Sequence, residues 1–213
     1  MCKLKPQKIP SSCNYENGIS RKQRAYYAVQ GGLDDVYIEN NLRIEVKKIH
    51  KSLIEAIDRL NKFTHIEPKT FNVETDKIDN LVCEVTHAVS DFINLINECR
   101  KTIITNLWEH IDSAVVDETL KETIQEIDEL ASHHYLDEVY TDKVEIYAID
   151  HESIMFRATG SISCELQFGS NSDLRRGDGA ISPESFEFTC ELISPVDEPN
   201  AVESVDSSLS DHV

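Results

Sequence analysis

Between residues 69 and 159 the chain runs for 91 positions without a glycine or a proline. Those residues are the strongest local breaks in a sequence, so their absence favours long uninterrupted elements over a fold of short strands and tight turns. Apolar spacing says which elements these are. Leu42, Val46, Ile49, Leu53, Ala56, Leu60 and Phe63 step alternately by four and three, and so do Ile78, Val82, Val85, Val89, Phe92, Ile96, Cys99 and Ile103. Each series is a seam of about three heptads, as in helices that pack lengthwise. Residues 65–74, with Pro68, turn the chain back, and Thr75 followed by Asp76 marks the start of the second helix. The pattern predicts an antiparallel helical hairpin.

The register continues loosely through Leu107, Ile111 and Ala114, then slips, and resumes at Leu120, Ile124, Ile127 and Ala131. Thr119-x-x-Glu122 has the form of a capping box and predicts a third helix. The second helix then ends near Asp112, roughly 55 Å from Asp76 at 1.5 Å per residue. From Lys143 the period becomes two. Val144, Ile146 and Ala148 form a first strand, and Ile154, Phe156 and Ala158 a second. Beyond Gly160, Ile162, Cys164, Leu166 and Phe168 form a third, and Phe186, Phe188, Cys190 and Leu192 a fourth. Such alternation predicts an antiparallel meander with one apolar face, covered by the helices.

The fold class is therefore α+β: a long antiparallel helical hairpin plus a third helix, followed by a four-stranded antiparallel β module. Residues 1–33 form a basic, partly flexible leader; Ser20 and Gly31-Gly32 have the form of a cap and a stop for a short helix over Arg21–Gln30, but a mobile leader is the preferred reading. Residues 34–135 form a coiled-coil-like helical region and residues 140–195 the β-meander. Residues 196–213, acidic and Ser-rich, have the composition of a disordered tail.

The formal net charge of −18 is uneven. Residues 1–30 hold six basic residues against Glu16, whereas residues 102–142 hold eleven acids against Lys121 alone. Such a field repels nucleic acid on average and leaves only local contacts open, at the leader or at an arginine-bearing loop. The acidic stretch fits the solvated outer face of a helix or a dock for a basic partner. No apolar run reaches the roughly 18–20 residues of a spanning helix, so no membrane contact is expected. The six cysteines lie far apart without a C-x-x-C pair, and the opening Met-Cys-Lys-Leu-Lys-Pro is no secretory signal. Both point to a reduced, cytoplasmic protein.

Two constellations carry candidate chemistry. The 169–179 loop, Gly-Ser-Asn-Ser-Asp-Leu-Arg-Arg-Gly-Asp-Gly, gathers Asn171, Asp173, Arg175, Arg176 and Asp178. Its arginines suit phosphate and its aspartates a cation; equally, Asp–Arg pairs of its own would pin it as a solvated hairpin loop. Separately, Asp150 with Glu165-x-Gln167 is similar to the pattern by which restriction-type nucleases hold a divalent metal, but Asp150 falls in a turn, a strand intervenes and no helix follows Gln167. Plain polar alternation on a solvated sheet face accounts for the same residues. Cys83 and His87 stand four apart on one helical face, half of a zinc site. His133 and His134 point to different faces and read as surface or core histidines. No cofactor is expected, apart from a divalent metal if the protein is a nuclease.

The run Cys164-Glu-Leu-Gln-Phe-Gly-Ser-Asn-Ser-Asp-Leu-Arg-Arg-Gly-Asp-Gly-Ala180, followed by Ser185-Phe-Glu-Phe-Thr-Cys190, resembles the C-terminal module of predicted pPIWI-associating nucleases of bacterial conflict and antiviral systems. The resemblance covers about residues 140–195. It implies a strand-rich module with the 169–179 loop at its functional edge, and it brings no established catalytic set. Three functions follow as expectations. The first is a binding or adaptor module of an antiviral system, with the helices serving self-association or a protein partner and the loop serving recognition. The second is a metal-dependent nuclease using Asp150, Glu165 and Gln167. The third is a structural coiled-coil oligomer.

Overall fold

The computed structural model describes residues 21–64 and 74–209, with the side chains of all but 21, 22, 122–126 and 128. Most of the basic leader, the Ser20 cap, the Pro68 turn and the Glu122 side chain lie outside these. The chain forms two compact units, Met1–Asn106 and Leu107–Val213.

In the first unit, α1 spans Arg21–Gln30 and stops at Gly31, whose N–H donates to the carbonyl of Tyr27 at 2.9 Å. Asp34 caps α2 (Asp35–Tyr37) by accepting from the N–H of Tyr37 at 2.7 Å. The helix widens into one π-helical turn, Ile38–Leu42, and ends at Arg43 in the left-handed region with φ 57°. Next comes α3, Val46–Thr64, and then α4, Thr75–Asp128. The carbonyl of Glu74 accepts from Lys77 and Ile78, so the α4 cap falls one residue before Thr75.

The expected hairpin is present. Leu53 and Ala56 of α3 bury against Ala88 of α4, with Ala25, Ile57, Val85 and Phe92 around them, and Arg59 pairs with Glu84. α1 closes over α3, its Tyr26 ring lying 3.8 Å from the ring of buried His50.

α4 is one helix of 54 residues, and here the structure departs from the expected third helix. Thr119 is buried and its hydroxyl donates to the carbonyl of Val115 at 2.6 Å. That hydroxyl is bonded back along the helix it belongs to and starts no new one. The slip in register has a geometric cause. Leu95, Cys99, Ile103, Leu107, Ile111, Val115 and Thr119 are all buried and step by four throughout, which drifts away from a strict heptad.

In the second unit the C-terminal stretch of α4 faces a four-stranded antiparallel sheet of order β1-β2-β3-β4. The strands are β1 His133–Ile149, β2 Ser153–Phe168, β3 Ala180–Pro195 and β4 Glu203–Leu209. A six-residue helix, α5 (Asn171–Arg176), joins β2 to β3. Ile154, Phe156, Ala158, Ile162, Cys164, Leu166, Phe186, Phe188, Cys190 and Leu192 are buried on one face. Ile127 of α4 packs into the Cys164–Leu166–Phe186 cluster with Leu136 and Leu209. Two hydrogen bonds tie helix to sheet: Thr141 to Asp112 at 2.9 Å, and Ser204 to Glu118 at 2.6 Å.

The sheet has four strands as expected, but they are not the four read from periodicity. The second and third are one strand, β2, and Gly160 lies inside it. A Cβ at Gly160 would sit 1.9 Å from the carbonyl oxygen of Tyr140 and 2.8 Å from the Phe188 ring. The glycine therefore admits close approach where β1 bulges, and breaks nothing. β1 starts eleven residues before Val144 and shifts register between Leu136 and Glu138, Thr141 and Lys143, and Ile146 and Ala148. After the last shift Ala148 pairs with Met155 on the outer face, not with the apolar row. The fourth strand comes from the segment expected to be a disordered tail. Its Leu209 pairs with Phe188, and Val205 is exposed at the sheet edge.

Gly160→Ala forces a methyl into the Tyr140 carbonyl and the Phe188 ring. Urea denaturation should show a loss of about 2–3 kcal/mol, the scale of an overpacked core; a loss near zero would mean that the β1 bulge does not close on this position.

Candidate functional site

The site follows from strand register. In the β1–β2 ladder His133 lies opposite Gln167 and Tyr135 opposite Glu165; in the β2–β3 ladder Gln167 lies opposite Ile181. Residues paired across antiparallel strands share a face, here the outer one, because their neighbours Leu136, Cys164 and Leu166 enter the core. His133, His134, Tyr135, Glu165, Gln167, Asn171 and Ile181 line a cleft of about 310 Å³ at this end of the sheet. On the outer face it joins the imidazole of His133, a phenol, a carboxylate and two amides, while His134, paired with Leu166, turns to the inner face. Such groups can bind a polar ligand and can move protons when one sits within reach.

α5 forms the rim of the cleft. Gln167 donates from Nε2 to the carbonyl of Gly169 at 2.9 Å and to Oδ1 of Asn171 at 3.3 Å, fixing the loop to the strand. Ser170 and Asp173 then make a reciprocal capping box, and Gly177 ends the helix with φ 79°, a left-handed conformation that suits glycine. Arg176 donates to Asp173 at 2.5 Å and lies 3.7 Å from Asp178. The loop is thus held by its own Asp–Arg pairs. Arg175 is different: it is exposed and has no hydrogen-bond or ion-pair partner among the described residues.

Asp150 stands elsewhere. It occupies the β1–β2 turn, where Oδ1 accepts from the N–H groups of Glu152 and Ser153 at 2.8 and 2.7 Å and from the Ser153 hydroxyl at 3.2 Å. Partial burial works to raise its pKa, but these three hydrogen bonds together hold the carboxyl below its ordinary value. Glu165 lies twelve residues along β2 from Ser153, about 40 Å at roughly 3.3 Å per residue. Asp150 and Glu165 therefore cannot share one metal ion, and no step is assigned to such an ion here. The structure brings Glu165, Gln167 and Asn171 together and leaves Asp150 at the far end. Cys83 Sγ does meet His87 Nδ1, at 3.5 Å. Among the described residues, no group of three or more His, Cys, Asp and Glu side chains could hold a metal ion.

Two further features sharpen the choice of site. A wider hollow of about 600 Å³ beside Gly160 is lined by Asp142, Thr159, Ser161, Ser185, Glu187 and Thr189, with no imidazole or cation. Arg157, on the outer face, is occupied by Glu191 at 2.7 Å and by the Tyr147 ring 5.3 Å away. The sequence reads His133 and His134 as surface or core histidines on different faces, and the ladder agrees, with His133 opposite Gln167 and His134 opposite Leu166. Tyr135 escaped the sequence reading, and only the register with β2 sets it beside Glu165.

The loop has a defined pH response. Hydrogen bonds from the Ser170 hydroxyl and N–H, then from Arg176, hold the Asp173 carboxyl below its ordinary value. A depressed folded-state pKa stabilises the loop fully above the ordinary aspartate range, and the effect disappears as pH falls through the lower folded value. Amide protection of α5 should therefore drop in acid in the native protein and be low and pH-independent in Asp173→Asn; equal protection in both proteins would remove the carboxylate from this role.

Two family models, both described as predicted pPIWI-associating nuclease, match the chain: one over residues 96–211, the other over residues 3–89. The first match contains the sheet, α5 and every residue of the cleft. No curated protein and no solved structure matches it significantly. The chain belongs to the family of predicted pPIWI-associating nucleases.

Proposed function

We propose that the protein is a binding module of a bacterial antiviral or conflict system that works beside a PIWI-type protein, using the cleft and the α5 rim as its recognition edge and the helices as an association surface. One observation carries this reading. The His133 imidazole, a phenol, a carboxylate and two amides line one open cleft, and α5, whose Asn171 lines it, carries the exposed and unpaired Arg175 one turn further on, while Asp150 is committed to a turn about 40 Å away. An exposed arginine with no internal partner is free to meet a carboxylate or a phosphate of a ligand. Nucleic acid then enters only as a local contact at this rim, in keeping with the overall charge of −18. A reduced, cytoplasmic setting suits Cys83, Cys99, Cys164 and Cys190, which are unpaired among the described residues.

Arg175→Ala should weaken capture of the PIWI-type partner at least about tenfold, the effect of removing one charge-assisted contact, with an unchanged thermal midpoint. Arg176→Ala should instead loosen α5 through the loss of its Asp173 and Asp178 contacts. Equal capture by the Arg175 variant and the native chain would sink the recognition edge.

A second reading, cleavage of nucleic acid, is favoured by the imidazole of His133 opening onto the same cleft as Glu165. On this reading the acid–base work sits in the cleft. Glu165→Gln and His133→Ala should each abolish cleavage measured with Mg²⁺, with Mn²⁺ and with EDTA, whereas Asp150→Asn should lower only the thermal midpoint. Activity lost in the Asp150 variant and kept in the Glu165 variant would place the chemistry elsewhere.

A further inference from the structure

We infer that the exposed stripe on the N-terminal part of α4 seats a second copy of this chain, running antiparallel. This names the partner for the helical half of the binding reading and rests on that reading. Ile78, Val82, Val89 and Ile93 are large apolar residues, each 41–55% exposed. At 100° per residue they fall within an arc of about 60°. The neighbouring arc, with Ala88, Leu95, Cys99 and Ile103, is the buried one. The apolar face of α4 is thus wider than α1 and α3 cover, and its uncovered half is a continuous row of β-branched side chains, a composition that suits helix pairing.

Charge at the ends of the row selects the occupant. Asp79 stands beside its first turn and Arg100 beside its last, three heptads apart and at the same heptad position. Neither has an ion-pair or hydrogen-bond partner among the described residues, and Arg100 Nε is buried without one. The flanking positions between them, Thr86, Ser90 and Asn97, carry no charge. A two-fold axis near Val89 makes this arrangement self-complementary. Val89 then meets Val89 of the second copy, Val82 meets Ile96, Val85 meets Ile93, and Asp79 meets Arg100 at both ends. A parallel pair would instead set Asp79 against Asp79 and Arg100 against Arg100. The apolar row gives the affinity and the two ion pairs give the direction.

Sedimentation equilibrium of the full chain tests this. The native protein should have twice the chain mass at micromolar concentration, and Val89→Asp, which places two carboxylates at the axis, should have the mass of one chain. Asp79→Arg, at an exposed position, should raise the dissociation constant at least about tenfold. Adding Arg100→Asp to that variant should restore it to within about threefold of native, which loss of fold would not do. A native chain that remains monomeric at about 100 µM, or an Asp79→Arg variant that dimerises as tightly as native, overturns the proposal. A monomer that still captures its PIWI-type partner removes the dimer alone; a dimer that captures nothing leaves it standing and removes the recognition edge.

Discussion

A sheet whose strands reach 16 and 17 residues, with one largely apolar face, cannot stand in water with that face open. Its cover is the constraint on which the second unit depends. Burying Phe156, Ile154, Ile162 or Leu192 is worth about 1.5–3 kcal/mol per side chain. The covering element is the end of α4, whose Ile127 lies in the Cys164–Leu166–Phe186 cluster. Asp112 and Glu118 are part of the most acidic stretch of the chain, yet both accept hydrogen bonds from the sheet. Some of the charge that looked like a solvated face is therefore structural. With the inner face occupied, any recognition falls to the outer face and its ends.

The two ends of the β1–β2 hairpin have divided tasks. At the turn, Asp150 takes three hydrogen bonds and holds two backbone N–H groups that would otherwise lack partners. At the open end, β1 begins with His133, His134 and Tyr135 beside the last residues of β2, and the chain leaves the sheet through α5. The polar residues of α5 are mostly satisfied by one another, which keeps the rim in one shape without a ligand. Arg175 is the exception. A rigid rim with one free guanidinium binds with less ordering cost than a mobile loop would.

Local periodicity made much of the fold legible. The helical hairpin and the alternation around Cys164 and Cys190 depend on spacings within one element, whereas Arg21–Gln30 was marked only by its flanking Ser20 and Gly31-Gly32. What escaped depends on pairing between elements. β1 is invisible to a period of two because its inner residues, Leu136, Val139, Thr141, Val144, Ile146 and Ile149, step by three and two across successive bulges. Gly160 reads as a break in sequence and is a packing requirement in space. β4 has one partner strand, β3, and so needs little apolar content. The loop was legible to the level of its internal Asp–Arg pairs. Its separation of Arg175 from Arg176 was not, nor was the company that Glu165 and Gln167 keep with His133.

Covering of the inner face is the central claim, and cysteine chemistry reports on it directly. Burial raises the Cys164 thiol above its ordinary value and pushes Cys99 to about 12 and Cys190 to about 11, whereas Cys83 is exposed. Thiolate is the reactive form, so inaccessibility and high pKa act in the same direction. Native-state alkylation at pH 8, read peptide by peptide by mass spectrometry, should modify Cys83 quickly and leave Cys99, Cys164 and Cys190 unmodified until denaturant is added. Modification of Cys164 and Cys190 at the rate of Cys83 in the folded protein would contradict the account, because it would mean that α4 does not cover the sheet.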